Sequence, residues 1–150
     1  THLKYFTGKW NVTSKGWMFP GSEPVASEAT IQGDLVLGGR FVMMRFKGAM
    51  FGAPYEGLQI RGYDNLQKKY VTFWIDSTST AFYLMSGIRD EKANERKERG
   101  LWPDPMTGGD IGVRAITKII SKDEFMYEMF MRGPDGKGFK VLEYHARRAR

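Results

Sequence analysis

The chain has 150 residues, 41% of them hydrophobic and 14% aromatic, which is enough for one domain over 1–150 with a sizeable core. It carries 23 basic and 17 acidic side chains, a net charge of +6, but acids interleave with the basic residues, and that pattern argues against a nucleic-acid surface. No apolar run approaches the roughly 18 residues of a helical membrane span, and the lack of cysteine excludes disulfides, thiolate catalysis and thiolate metal ligands.

No signal peptide is visible at the start. The expectation is a soluble protein, cytoplasmic or exported behind an upstream signal that is not in this chain.

Turn residues recur every ~8–12 positions and cut the chain into short strand-like runs. Lys9–Met18 is the first predicted strand and ends at Pro20-Gly21-Ser22. Val25–Leu37 is the second, with a bulge or bend expected at Gly33. Phe41–Lys47 follows the Gly38-Gly39 turn, and Gly48–Pro54 is expected as a loop. Tyr55–Tyr63 comes next, then Tyr70–Asp76, rich in β-branched and aromatic residues. Ser77–Thr80 is a polar turn before Ala81–Ile88. Asp90–Arg99 favours helix by residue type but lacks an apolar stripe, so helix, exposed strand and loop all stay open. Ile111–Ile120, Phe125–Arg132 and Gly138–Ala146 complete the set. The sum is an all-β chain, a single antiparallel up-and-down β-barrel of about ten strands.

Several strands are apolar on both faces, Phe41, Val42, Met43, Met44 and Phe46 in one run. A barrel with a filled or cavity-bearing interior and a partly covered exterior accounts for this. Apolar Met43, Phe130 and Leu142 on the outside point to a homodimer. Nine methionines suit either ordinary core packing or an adaptable pocket.

Gly8-Lys9-Trp10 opens the first strand and Arg147-Arg148 ends the last. This resembles the Gly-x-Trp floor of lipocalins and fatty-acid-binding proteins, where a basic residue stacks near the tryptophan. A second, ordered set runs from about Leu3 to Arg148. It comprises Leu37-Gly38-Gly39-Arg40-Phe41, Tyr55-Glu56-Gly57-Leu58, Gly62-Tyr63-Asp64-Asn65, Lys69-Tyr70-Val71, Trp74-Ile75-Asp76-Ser77, Asp104-Pro105-Met106-Thr107-Gly108 and Gly133-Pro134-Asp135-Gly136. It is similar to the bacterial calycin-like DUF1579 family, a domain of unknown function. The resemblance implies a lipocalin-like barrel and carries no catalytic residues. The chain departs from it over Asn94–Trp102, where a more apolar strand is expected.

No Gly-x-Ser-x-Gly elbow, phosphate loop or His-Glu-x-x-His motif is present, and the histidines are His2 and His145. No metal site and no cofactor are expected, and catalytic residues stay unknown. Trp74 and Asp76 share one strand face. Asp76 is either an inward acid needing a partner or the cap of the Ser/Thr turn.

The last hairpin is predicted in most detail. Gly133-Pro134-Asp135-Gly136 suits a type I turn followed by a G1 bulge, which pairs Gly133 with Lys137. Continued without interruption, that register sets Tyr127 opposite Glu143 and Phe125 opposite His145. The interior face then carries Tyr127, Met129, Val141, Glu143 and His145. With Met44, Phe46, Trp74 and Asp76 these form the expected ligand wall. The expected occupant is a small apolar or amphipathic molecule held by a few polar anchors. Alternatives are an enzyme using Asp76 or Glu143 for proton transfer, a haem barrel in the style of nitrobindins with His145 as axial ligand, and a purely structural or interaction domain.

Overall fold

Alternation of inward and outward side chains builds ten antiparallel strands, in a computed structural model that describes residues 2–133 and 135–150. They are β1 (Gly8–Gly16), β2 (Val25–Val36), β3 (Phe41–Met50), β4 (Ala53–Asp64), β5 (Lys69–Asp76), β6 (Tyr83–Asp90), β7 (Glu95–Pro103), β8 (Asp110–Ser121), β9 (Glu124–Arg132) and β10 (Gly138–Arg148). Each strand pairs with the next, and β1 pairs with β10, so the sheet closes and no edge remains. A 3-10 helix, Leu3–Phe6, precedes β1.

That helix plugs the end of the barrel where β1 begins. Leu3 and Phe6 are buried, and Phe125 meets the rings of Phe6 and Trp10 edge-on at 5.2 and 4.9 Å. The Trp10 indole N–H donates to the Phe6 carbonyl at 3.3 Å. Gly8 turns the chain from helix into strand at φ 89°, a conformation that penalises any side chain. The basic residue at the floor is Arg148; Arg147 points outward toward Glu124.

Gly33 is not a bulge. Its pairings with Gly8 and Met44 are in continuous register. A Cβ there would fall 2.0 Å from the Phe6 carbonyl oxygen, so glycine is present to let the helix backbone lie on the strand. Nor is Gly48–Pro54 a loop. β3 and β4 pair up to Met50 and Ala53, and Phe51 and Gly52 form a tight turn with φ of 47° and 79°. The ambiguous Asp90–Arg99 resolves into a turn and β7, whose buried inner side chains include Arg96 and Glu98.

The β9–β10 hairpin begins as expected and then departs. Gly133 N–H donates to the Lys137 carbonyl at 2.6 Å, and Gly136 sits at φ 77°. Pro134, expected to preset the turn, lies outside the described residues. A β-bulge between Lys140 and Leu142 then advances the register by one. Tyr144 pairs with Tyr127 and Ala146 with Phe125, while Glu143 faces Glu128 and His145 faces Met126. Burial explains the slip: Tyr144 and Ala146 enter the core, and Glu143 stays partly exposed and accepts from Lys140 at 2.9 Å. The same bulge turns Leu142, expected outside, onto the cavity wall.

Candidate functional site

The connections at the end opposite the helix plug form the mouth of the barrel. Beneath it lies a cavity of about 480 Å³. Its rim includes Trp17, Met18, Val25, Met50 and Phe51, and its walls are largely apolar. Trp74 meets Phe46 edge-on at 5.0 Å, and Trp102 packs on Tyr83 at 4.5 Å. Gly57 makes room for the Trp74 indole, since a Cβ there would come within 2.2 Å of its ring.

Asp76 sits on the wall with both oxygens engaged. Oδ2 accepts from the Trp74 indole N–H at 2.7 Å and from the Tyr55 hydroxyl at 3.3 Å. Oδ1 accepts from the backbone N–H of Thr78 at 2.8 Å and from its hydroxyl. The two readings of this residue are therefore both realised, one per oxygen. Burial, reinforced by the Asp76 charge, raises the Tyr55 pKa and keeps it a donor.

The cavity floor is made of Gln59, Tyr127 and Tyr144. The two tyrosine rings stack at 4.9 Å. Burial raises the Tyr144 hydroxyl to about 12 despite the opposing charge of Arg61. Burial also raises Tyr127, with Tyr144 adding and Arg61 opposing. Both phenols therefore stay protonated at neutral pH. Further inside lie Arg61, Thr72, Arg96, Glu98 and Thr117, all buried. Arg96 Nη2 donates to Glu98 at 2.7 Å and to Thr72 at 2.6 Å, and the Thr72 hydroxyl donates to Glu98 at 2.7 Å. Burial lowers the Arg96 pKa while Glu98 opposes the shift. The Arg61 guanidinium lies 4.6 Å from the Phe6 ring.

The DUF1579 profile, described as a protein of unknown function, matches residues 1–148. The chain belongs to the DUF1579 family. No curated protein sequence matches it. Solved structures similar to this DUF1579 barrel share its fold at low identity. The Rv2717c protein of M. tuberculosis is 15% identical with a TM-score of 0.74, covering 99% of this chain and 96% of that one. The S-type phycobiliprotein lyase CPES of Guillardia theta is 9% identical with a TM-score of 0.68, covering 99% and 91%. A de novo designed fluorescence-activating β-barrel is 16% identical with a TM-score of 0.54, covering 98% and 96%.

Of the residues singled out from sequence, the DUF1579 fold puts Phe46, Trp74, Asp76, Tyr127, Met129 and Val141 on the cavity wall. Met44 is buried one inward step below Phe46 on β3, packed rather than lining. Glu143 and His145 are on the outer face, a correction that follows from the β10 bulge. His145 Nδ1 stands 3.7 Å from Glu124, so this histidine is not available as an axial ligand inside the barrel. Among the described residues no three carboxylate or imidazole side chains converge as a metal site.

Gln59, Arg61, Arg96, Glu98 and Tyr144 were not foreseen. On β4, whose faces the sequence left unassigned, Leu58 and Ile60 face outward, and Gln59 and Arg61 face in. The alternation of polar and apolar residues is present in the sequence, but nothing local to the strand says which face is inside.

Proposed function

We propose that this barrel holds a small, mainly apolar molecule through a few polar anchors. The observation that carries this reading is the cavity of about 480 Å³ with its aromatic and methionine wall. That volume falls among small-molecule sites, commonly about 300–1,000 Å³. The polar side chains on the wall are few: Asp76 with Tyr55 at one level, Gln59, Tyr127 and Tyr144 at the floor, and Ser14 and Ser27 on β1 and β2. The designed fluorescence-activating barrel of similar fold lends support by analogy. An enzyme using a cavity carboxylate would have to rely on Asp76, since Glu143 is outside, and Asp76 is already occupied by four donors.

The test is titration with Nile red, a neutral dye that brightens in apolar surroundings. The wild type should bind it saturably and show transfer from tryptophan. Met129→Trp, which fills the cavity from β9, should abolish binding while leaving the far-UV circular dichroism of a β-protein. A wild type that leaves the dye dark would overturn the proposal.

A further inference from the structure

Among the described residues, two buried arginines share the barrel interior with one buried carboxylate. Arg61 and Arg96 are 0% and 1% exposed, and Glu98 is 1% exposed. Glu98 is taken by Arg96 in an ion pair of 2.7 Å. Arg61 has no carboxylate partner among the described residues. Its Nε–H donates to the Gln59 side-chain oxygen at 2.5 Å, and its face rests on Phe6. Both remaining nitrogens, Nη1 and Nη2, are buried without a hydrogen-bond partner. An enclosed guanidinium lacking a counter-charge is strongly unfavourable, and a guanidinium can only donate.

The second guanidinium adds to that demand for an acceptor, although Thr117 Oγ1 and the His2 ring nitrogens, which can accept, are buried without partners too. Nε and Nη1 of Arg96 are also buried and unpartnered, and so is the Tyr144 hydroxyl on the cavity floor. Gln59 lines the cavity and contacts Arg61, linking the guanidinium to the open space above. A wholly neutral, apolar occupant would leave this excess positive charge unanswered.

We infer that the occupant is an amphipathic anion, with an oxoanion headgroup of the carboxylate class at the Gln59–Tyr127–Tyr144 floor and an apolar tail extending past Trp74 toward the mouth. This rests on the ligand-binding reading of the same cavity. Arg61, which lies behind Gln59 and not on the cavity wall, supplies the counter-charge through space, and the Tyr144 hydroxyl donates to the headgroup. The low-dielectric setting makes the charge effective, because no salt solution screens it there. The electrostatics of the floor agree: Arg61 opposes the burial-driven rise of both tyrosines.

The experiment compares two probes of equal chain length, laurate and 1-dodecanol, as competitors of bound Nile red at pH 8 below their aggregation limits. Laurate should displace the dye at least about tenfold more tightly, the advantage of a nearby opposite charge in a low-dielectric interior together with the tyrosine hydrogen bond. Arg61→Met should reduce the laurate advantage to near one, and Arg61→Lys should retain most of it. Equal displacement of the wild type by both probes overturns the inference while leaving the apolar-ligand reading intact; that comparison needs no variant, so a failure of Arg61→Met to fold does not spare it. Laurate preference undiminished in a folded Arg61→Met overturns the assignment to Arg61. Binding of neither Nile red nor laurate removes both readings.

Discussion

The guanidinium of Arg148, near the end of the last strand, stands 4.0 Å from the centroid of the Trp10 indole on the first. Its Nη1 donates to the Thr7 carbonyl at 2.8 Å and its Nη2 to the Tyr5 carbonyl at 3.1 Å. One side chain thus stacks on the floor tryptophan and ties the helix plug to the closing strand.

Arg148→Met should therefore destabilise the barrel by about 2 kcal/mol, combining a cation–π contact with lost charge-assisted hydrogen bonds. Arg147→Met removes an exposed side chain at 3.4 Å from Glu124 and should cost no more than about 0.5 kcal/mol. Urea denaturation of the two variants reads the difference; equal midpoints would deny Arg148 its role in closure.

Gly33→Ala sets a methyl against the Phe6 carbonyl, at 2.0 Å before any adjustment. Backbone cannot swing aside like a side chain, so a loss of about 2–3 kcal/mol is expected. Gly112→Ala meets nothing within 4 Å and should stay within about 0.5 kcal/mol of wild type. Thermal melts of the pair test this, and a neutral Gly33→Ala would show that the helix plug is free to lift.

Glu98 holds Arg96 inside the barrel. Glu98→Gln removes the one buried carboxylate among the described residues, which faces two buried arginines, and should cost about 3–5 kcal/mol, the usual effect of breaking a buried pair from one side. The double variant Arg96→Met with Glu98→Leu should recover much of that loss, because no charge then remains to be solvated by the pair. Chemical denaturation of both separates the pair from a merely steric effect; a double variant no more stable than Glu98→Gln would contradict it.

His2 packs edge-on against Phe6 and Tyr70. Burial first, then the charges of Arg89, Arg96 and Arg61, lower its pKa from 6.5 to about 3. Between those values the unfolded chain binds the proton and the folded chain does not. Its contribution is therefore present above pH 6.5 and lost as pH falls toward 3. His2→Phe should show a shallower loss of stability than wild type between these limits. Parallel pH profiles for the two proteins would rule out this titration.

Apart from β7, which the sequence left open over Asp90–Arg99, the strands, their order and most turns were legible because each announces itself locally. Trp74 and Asp76 shared a face wherever β5 went, and Gly133 paired with Lys137 whatever followed. Glu143 and His145 were misplaced because a single extra residue between Lys140 and Leu142 reverses every later side chain. Nothing in the local alternation of β10 marks that residue.

The sequence by itself determined an up-and-down barrel with a Gly8/Trp10 floor and an apolar wall that includes Phe46, Trp74 and Met129. Strand alternation and turn chemistry are properties of neighbouring residues, and neighbours are what a sequence displays. Only the tertiary structure decided which face of β4, β7 and β10 is inside. Thr72, Arg96 and Glu98 meet across 24 to 26 positions, and charged side chains become tolerable in a core only once such partners converge. The unpaired Arg61 is a product of the same closure: its lack of a counter-charge exists only after the barrel has shut water out.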